Sequence, residues 1–548
     1  MGPAFLLALA AAALVLLTSG REAFRGAVAE GPGITLDESF NVETGVYLIR
    51  SLREFGLAAL HPDSVREIWG AAAYNPDHPP LGRLALGLAH DANVDRESSG
   101  IRDSAARPAS AIAFALTVWL VAWCGGRWYG RTAGIVGGAS VLLMPRQFGH
   151  AHLASLETFI GLAYAAAVLA IAETWSVDAE VASRAGGRRP LPGWGNVLGG
   201  GALIGLALLT KIQAVFLGPA VAVWALARFG MRGLPRLAAC GGMALAVFFA
   251  GWPWLWLDPA AHLHEYFART TERQTLYCFY WGERWADLDV PWHYPWVQFA
   301  VVVPLGLQLL GLVGLGTGED GRSARRDPRL ALVLLAVVIP LIVFSLPGIR
   351  VYDGERLFAV SFPLWGIVIG RGGARAMAWL RARLSAPAAI SIATAFVAAQ
   401  GWGLARLHPC QLSYYNLAVG GLQGAAGLGF ETSYWADSLT ESLQRRIVEA
   451  VPRGSRIDVA PVLHPIYLDH LLSQSPLLQA AELRLEPYDD KVPGGSRLVL
   501  LFHRRADPWE SLDPPPEGTE VLARLERAGV PLATLLRLPE GERPAEFP

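Results

Sequence analysis

Eleven stretches of this chain are apolar for long enough to leave few folds open. They lie near 4–20, 107–125, 132–147, 153–173, 196–210, 213–228, 236–256, 294–316, 329–346, 356–371 and 387–405. A helix crosses a bilayer with about 20 mainly apolar residues, and repeated runs of that kind predict repeated crossings. Composition points the same way. Of the 548 residues, 53% are hydrophobic and only 17% charged, where a soluble domain carries about a quarter charged; the mean hydropathy is +0.33. The expectation is an α-helical polytopic membrane protein with about eleven transmembrane helices. No basic stretch precedes the first run, which favours an uncleaved helix over a signal peptide.

Orientation follows from arginines in short loops. Arg127 and Arg131, then Arg184, Arg188 and Arg189, then Arg228, Arg232 and Arg236 form three basic groups. Arg322, Arg325, Arg326 and Arg329 form a fourth, and Arg371, Arg375, Arg381 and Arg383 a fifth. These loops alternate with less basic ones, as the positive-inside rule requires of cytoplasmic loops. Residues 21–106, 257–293 and the tail from about 406 then lie outside. The domain reading is a transmembrane catalytic domain over 1–405, with the motif-bearing first outer loop at 21–106, and a small extracytoplasmic C-terminal domain over 406–548.

That tail predicts an α/β fold. Ser438-Leu439-Thr440-Glu441 has a capping-box pattern ahead of Leu439, Leu443 and Ile447 at helical spacing. Short apolar runs at 457–460 and 498–502 read as strands. Nothing in its distal half resembles a catalytic motif. A net charge of −1 argues against a nucleic-acid partner. Cys124, Cys240, Cys278 and Cys410 show no metal or redox spacing; Cys124 and Cys240 sit in apolar runs and read as core.

The first outer loop carries the densest chemistry. Thr35-Leu36-Asp37-Glu38-Ser39-Phe40 precedes Leu48, Leu52 and Phe55, spaced as on a helix lying apolar face down on the membrane surface. A carboxylate at Asp37 would there take a proton from an incoming hydroxyl; the competing reading is a simple helix cap. Further on, Tyr74-Asn75-Pro76-Asp77-His78-Pro79-Pro80-Leu81-Gly82-Arg83 holds His78 in an extended segment fixed by prolines. His78 there suits a phosphate or a metal, or only a turn.

Lys211 and Lys491 are the only lysines. Lys211 ends an apolar stretch, so it either snorkels to the headgroups or meets a lipid phosphate. Arg350 and Arg356 flank Tyr352-Asp353-Gly354-Glu355 in a short outer loop. Arg356 suits a bidentate hold on phosphate oxygens, although Glu355 and Arg356 could simply pair. His150, His152 and Glu157 cluster at the outer end of the third span, which favours a hydrogen-bonding set over a metal site. The sequence thus commits to no cofactor and leaves a divalent metal open. Residues 257–293, with Tyr277, Tyr280, Trp281, Trp285, Trp292, His293 and Tyr294, read equally as an interfacial belt or as a lid over a sugar site.

In combination, the Asp-Glu pair after the first helix and the His-Pro-Pro-Leu-Gly that follows resemble membrane glycosyltransferases of the GT-C superfamily. The nearest likeness is to protein O-mannosyltransferases and bacterial aminoarabinose-type, lipid-carrier-dependent transferases. The likeness runs on through Arg102, Arg107-Pro108, Gly205-Leu206-Ala207-Leu208-Leu209-Thr210-Lys211 and Tyr352-Asp353-Gly354-Glu355-Arg356-Leu357-Phe358. It extends to His408-Pro409-Cys410-Gln411-Leu412-Ser413-Tyr414-Tyr415-Asn416, Gly420-Gly421 and Tyr434-Trp435, and so covers roughly residues 1–435.

The resemblance implies a polyprenyl-phosphate-linked sugar donor, an inverting transfer outside the cell's inner (plasma) membrane, and an acceptor lipid, glycan or protein. Asp37 carries over as the base, with Glu38 assisting or orienting it. Together with the reading of the residues themselves, the expected substrate-binding set is His78, Arg83, Lys211, Arg350, Asp353, Arg356, His150 and His152. Arg83 stands where protein mannosyltransferases commonly have lysine, and their large middle-loop insertion is missing; both weaken a protein acceptor. The rival class is a transporter or flippase, which would place charges along a midplane path and often show repeated halves. A non-catalytic scaffold displaying the tail leaves Asp37, His78, Lys211 and Arg356 unexplained.

Overall fold

The structure is a computed structural model that describes every residue except 1, 95–99, 185–189, 273, 317–326, 462–464, 490–496, 509 and 540–548. Arg188, Arg189, Arg322, Arg325, Arg326 and Lys491 lie outside the described residues.

All eleven apolar runs fall on helices, but they differ in length. Among the described residues four helices are long and apolar enough to cross a membrane: Asp103–Tyr129, Glu157–Ser176, Ile212–Ala250 and Ala386–Leu407. A fifth crossing results if Tyr294–Val301 and Leu305–Leu315, bent by 110°, count as one. Pro3–Leu17, Trp194–Leu208 and Pro328–Val343 are apolar but shorter. The 110° bend comes at Pro304, which cannot donate to the helix ladder. Asn416 Nδ2 caps the carbonyls of Ala300 and Val303 there, at 2.8 and 2.7 Å.

Small residues let the helices close on one another. Gly366 and Gly370 of the Ser361–Arg381 helix abut Gly137 and Ala133 of Arg131–Leu142, where a Cβ on Gly370 would strike the Ala133 carbonyl. The same device joins the helices that carry the chemistry. Gly45 of Leu36–Phe55 lies against the Arg83 carbonyl and Gly87 of Pro80–Asn93 against the Gly45 carbonyl, with no room for a side chain at either.

The Leu36–Phe55 helix departs from its expected placement on the membrane surface. Leu48 is fully buried, and Leu52 and Phe55 pack with it against Trp69, Tyr74, Leu209 and Trp252. The amphipathic stripe therefore meets protein, because an apolar stripe fits a neighbouring helix as well as it fits lipid.

The tail forms a five-stranded sheet in the order β4-β3-β5-β7-β6, after a two-stranded hairpin in the 257–293 segment. The hairpin strands are β1 (Tyr277–Tyr280) and β2 (Glu283–Ala286). The tail strands are β3 (Arg456–Ala460), β4 (Arg484–Pro487), β5 (Leu498–Phe502), β6 (Glu520–Arg527) and β7 (Val530–Arg537). β3 runs parallel to both neighbours, while β7 is antiparallel to β5 and β6. Leu439, Leu443 and Ile447 enter the core of this domain as their spacing predicts. The cap of the Glu441–Ala450 helix, however, is Thr440 rather than Ser438. The domain docks beside the Asp-Glu helix: His470 Nε2 lies 2.6 Å from Asp103, its Nδ1 3.4 Å from Glu43, and the Tyr467 hydroxyl donates to the Ile34 carbonyl.

Candidate active site

Two adjacent carboxylates meet opposite surroundings at the start of the Leu36–Phe55 helix. Thr35 caps it, with the Thr35 amide and hydroxyl 2.9 and 3.2 Å from Glu38 Oε2, a capping box. Glu38 is fully buried and takes Arg107 Nε and Nη2 at 2.8 and 3.0 Å. The Ala154 amide donates to it as well, at 2.8 Å. Arg107 also donates to the carbonyls of Pro32 and Gly33, each at 2.9 Å. A buried charge pair is tolerable only when its remaining donors and acceptors are met in this way.

Asp37 turns the other way. Its side chain is 29% exposed, and its Oδ2 lies 2.8 Å from Arg356 Nη1. Arg356 begins a short 3-10 turn after Asp353 and Gly354, both at positive φ. A side chain at Gly354 would also press on Arg146. The same guanidinium approaches Asp353 at 3.4 Å and Glu157 at 3.7 Å, and lies over the Trp435 ring at 4.7 Å. Glu157 in turn holds Lys211 Nζ at 2.5 Å.

Lys211 reaches this position because the chain is fully extended there, between Trp194–Leu208 and the turn Ile212–Phe216. The Leu81 amide donates to the Leu209 carbonyl at 3.0 Å, which ties this break to the His-Pro-Pro segment. His78, half-buried, lies within electrostatic reach of the same charges. Burial first, then Arg83 and Lys211, push its imidazole well below its usual range, so it is neutral near pH 7. Asp37, His78, Lys211, Asp353 and Arg356, from three distant stretches, thus converge.

The other expected residues serve elsewhere. Arg83 is buried and braces the loop, donating to Asn41 Oδ1 at 3.0 Å and to the carbonyls of Asn75 and His78. Glu355 pairs with Arg146 rather than with its neighbour Arg356. His150 lies 3.6 Å from Glu355 and against the Trp435 ring, one step behind Arg356. His152 points away: its Nδ1 is 2.8 Å from the Phe148 carbonyl and its Nε2 2.8 Å from the Thr18 hydroxyl. Burial lowers its pKa to about 3. Arg350 grips the buried Asp287 at 2.8 Å and so ties down the 257–293 segment. Among the described residues no three of His, Cys, Asp and Glu are grouped to hold a metal ion.

Other residues join the site in roles that the sequence did not assign them. Glu157, expected in a cluster with His150 and His152, bridges the two cations. From the tail, Arg504 follows β5 and reaches Asp353 at 3.4 Å. Trp435 supplies the ring face beneath Arg356. Two tail carboxyls are shifted by burial: Glu431 is pushed up to about 8 and Asp437 to about 7.

The structure also holds an apolar groove of ≈ 650 Å³. Ile204, Val221, Ala244, Phe248 and Phe267 line it, and its wall includes Ile212, next in chain to Lys211. The 257–293 segment contributes to it through the helix Pro259–Thr271, with Tyr266 and Phe267. Its hairpin leaves Trp281 exposed and Tyr280 buried.

No family model and no curated protein matches the chain. Solved structures do. ArnT from Cupriavidus metallidurans is similar at 16% identity in the apo state, over 97% of both chains with a TM-score of 0.48. Bound to undecaprenyl phosphate it is similar at 16% identity, over 99% of both chains with a TM-score of 0.49. The oligosaccharyltransferase AglB from Archaeoglobus fulgidus, in complex with an inhibitory peptide and a dolichol-phosphate, is 14% identical. That match covers 89% of this chain and 61% of AglB, with a TM-score of 0.39. Similarities at this level assign no residue a role.

Proposed function

We propose that this chain is a polytopic GT-C-like glycosyltransferase. It moves a sugar from a polyprenyl-phosphate carrier to an acceptor hydroxyl, on a lipid, glycan or protein, with inversion. One observation carries the reading: an accessible carboxylate, Asp37, stands 2.8 Å from Arg356, and Arg356 shares Glu157 with the buried Lys211. Base and cations therefore lie side by side. In this reading an incoming phosphate competes with Asp37 for Arg356. Asp37, released, accepts the proton of the acceptor hydroxyl. That oxygen bonds to the anomeric carbon while the bond from that carbon to the phosphate oxygen breaks. The departing phosphate gains a charge, which Arg356 and Lys211 stabilise.

The remaining residues follow from the same picture. Neutral His78 faces the sugar or phosphate as a hydrogen-bonding group. Glu38 and Arg83 act as positioning residues. The apolar groove walled in part by Ile212, next in chain to Lys211, suits a prenyl tail, whose burial is favourable per CH₂. About eleven crossings, a catalytic region over 1–405 and an outer tail over 406–548 complete the reading. Placing the site and tail outside the plasma membrane rests on the arginine-rich loops.

The test is mass spectrometry of lipids, surface glycans and glycoproteins from a strain lacking this chain. The expected result is one species that loses a sugar, with the polyprenyl-phosphate-linked donor accumulating. An unchanged envelope with no donor accumulation would contradict the reading.

A further inference from the structure

Arg356 shares its carboxylates with other cations, and one of those cations comes from the tail. Asp37, Asp353 and Glu157 each lie within 4 Å of Arg356; Lys211 relieves Glu157, and the buried Arg83 acts on Asp37, which leaves Asp353. A carboxylate with no second cation holds Arg356 and repels an incoming phosphate. Arg504, 11% exposed, supplies that second cation by approaching Asp353 Oδ1 at 3.4 Å. Its own second partner, Asp507, lies 2.8 Å from Nε and is also approached by Arg284 at 3.7 Å. Arg504 therefore adds no uncompensated charge of its own.

Its position is fixed by the fold. β5 is the central strand of the tail sheet and ends at Phe502, so the turn that follows is held by its most embedded strand. Glu431 accepts the amides of Arg505 and Ala506 at 2.8 and 2.7 Å. Arg284, from β2, donates to the Ala506 carbonyl at 2.7 Å. The Arg504 guanidinium itself donates to the Tyr434 carbonyl, beside the Trp435 ring on which Arg356 rests. A turn clamped from two other segments presents a cation without further ordering, and a cation so presented is preorganised.

We propose that Arg504 is a positioning residue that neutralises Asp353 and so leaves Arg356 free for the donor phosphate. The tail domain is then a working part of the site rather than an appendage. The proposal rests on the lipid-phosphate donor put forward above.

The experiment measures binding of a polyprenyl phosphate to the full chain in nanodiscs, with melting temperature recorded for each variant. R504Q is expected to weaken binding at least about tenfold. Adding D353N is expected to restore it to within about threefold of wild type, a rescue that a merely structural role for Arg504 would not give. Wild-type affinity in R504Q, or a double variant no better than R504Q, overturns the proposal and leaves the donor reading standing. Should R504Q fail to fold, D353N/R504Q alone decides: near-wild-type binding supports the proposal and lost binding overturns it. No binding by the wild type would remove both readings.

Discussion

Two ion networks begin at consecutive residues and are built to different ends. The Glu38–Arg107 network is closed: fixed donors meet both carboxylate oxygens, and Arg107 also donates to the Pro32 and Gly33 carbonyls. The Asp37–Arg356 network is open. Its carboxylate is partly exposed, and its cation is shared among Asp37, Asp353 and Glu157 at 2.8, 3.4 and 3.7 Å. A closed network holds chain segments together, whereas an open one can exchange a partner for a ligand. Adjacent side chains on a helix point about 100° apart, which is how one dipeptide serves both.

Four substitutions can break or sharpen that contrast. Glu38→Gln leaves Arg107 buried without its counter-charge and should cost about 3–5 kcal/mol of stability, seen as a lower melting temperature and poor yield. Unaltered melting would dissolve the distinction between the networks. Arg356→Gln should lower transfer about 10²–10³-fold in protein that still inserts and folds; a loss below tenfold would mean the open network is structural too.

Asp437→Asn probes pH. Burial raises this carboxyl to about 7 in the folded chain, against about 4 when unfolded. The folded state therefore favours its proton: the stability it contributes is full below about pH 4 and lost as pH rises to about 7. Wild-type melting temperature should fall across that window, and D437N should flatten the slope. The smallest effect belongs to Arg350→Gln, whose side chain serves Asp287; turnover per folded molecule should stay within about threefold.

How far the sequence revealed this follows from the range of each signal. Apolar runs are local, so every one of the eleven lands on a helix, and the tail runs at 457–460 and 498–502 land on strands. Local periodicity says nothing of what a stripe faces, so Leu48, Leu52 and Phe55 were expected against lipid and meet Trp69 and Trp252 instead. Lys211 and Arg356 stood out because an isolated cation beside apolar chain needs a partner. The partner itself, Glu157, lies 54 residues from Lys211 in the chain, beyond any spacing argument. Arg504 was harder still. It is one of many arginines, and only the folded tail brings it to Asp353.

The most direct measurement is paired: turnover and melting temperature of Asp37→Asn beside wild type in the same membrane preparation. The account predicts a fall of about 10²–10⁴ in transfer with the melting temperature unmoved. Turnover within tenfold of wild type in folded D37N protein would contradict it.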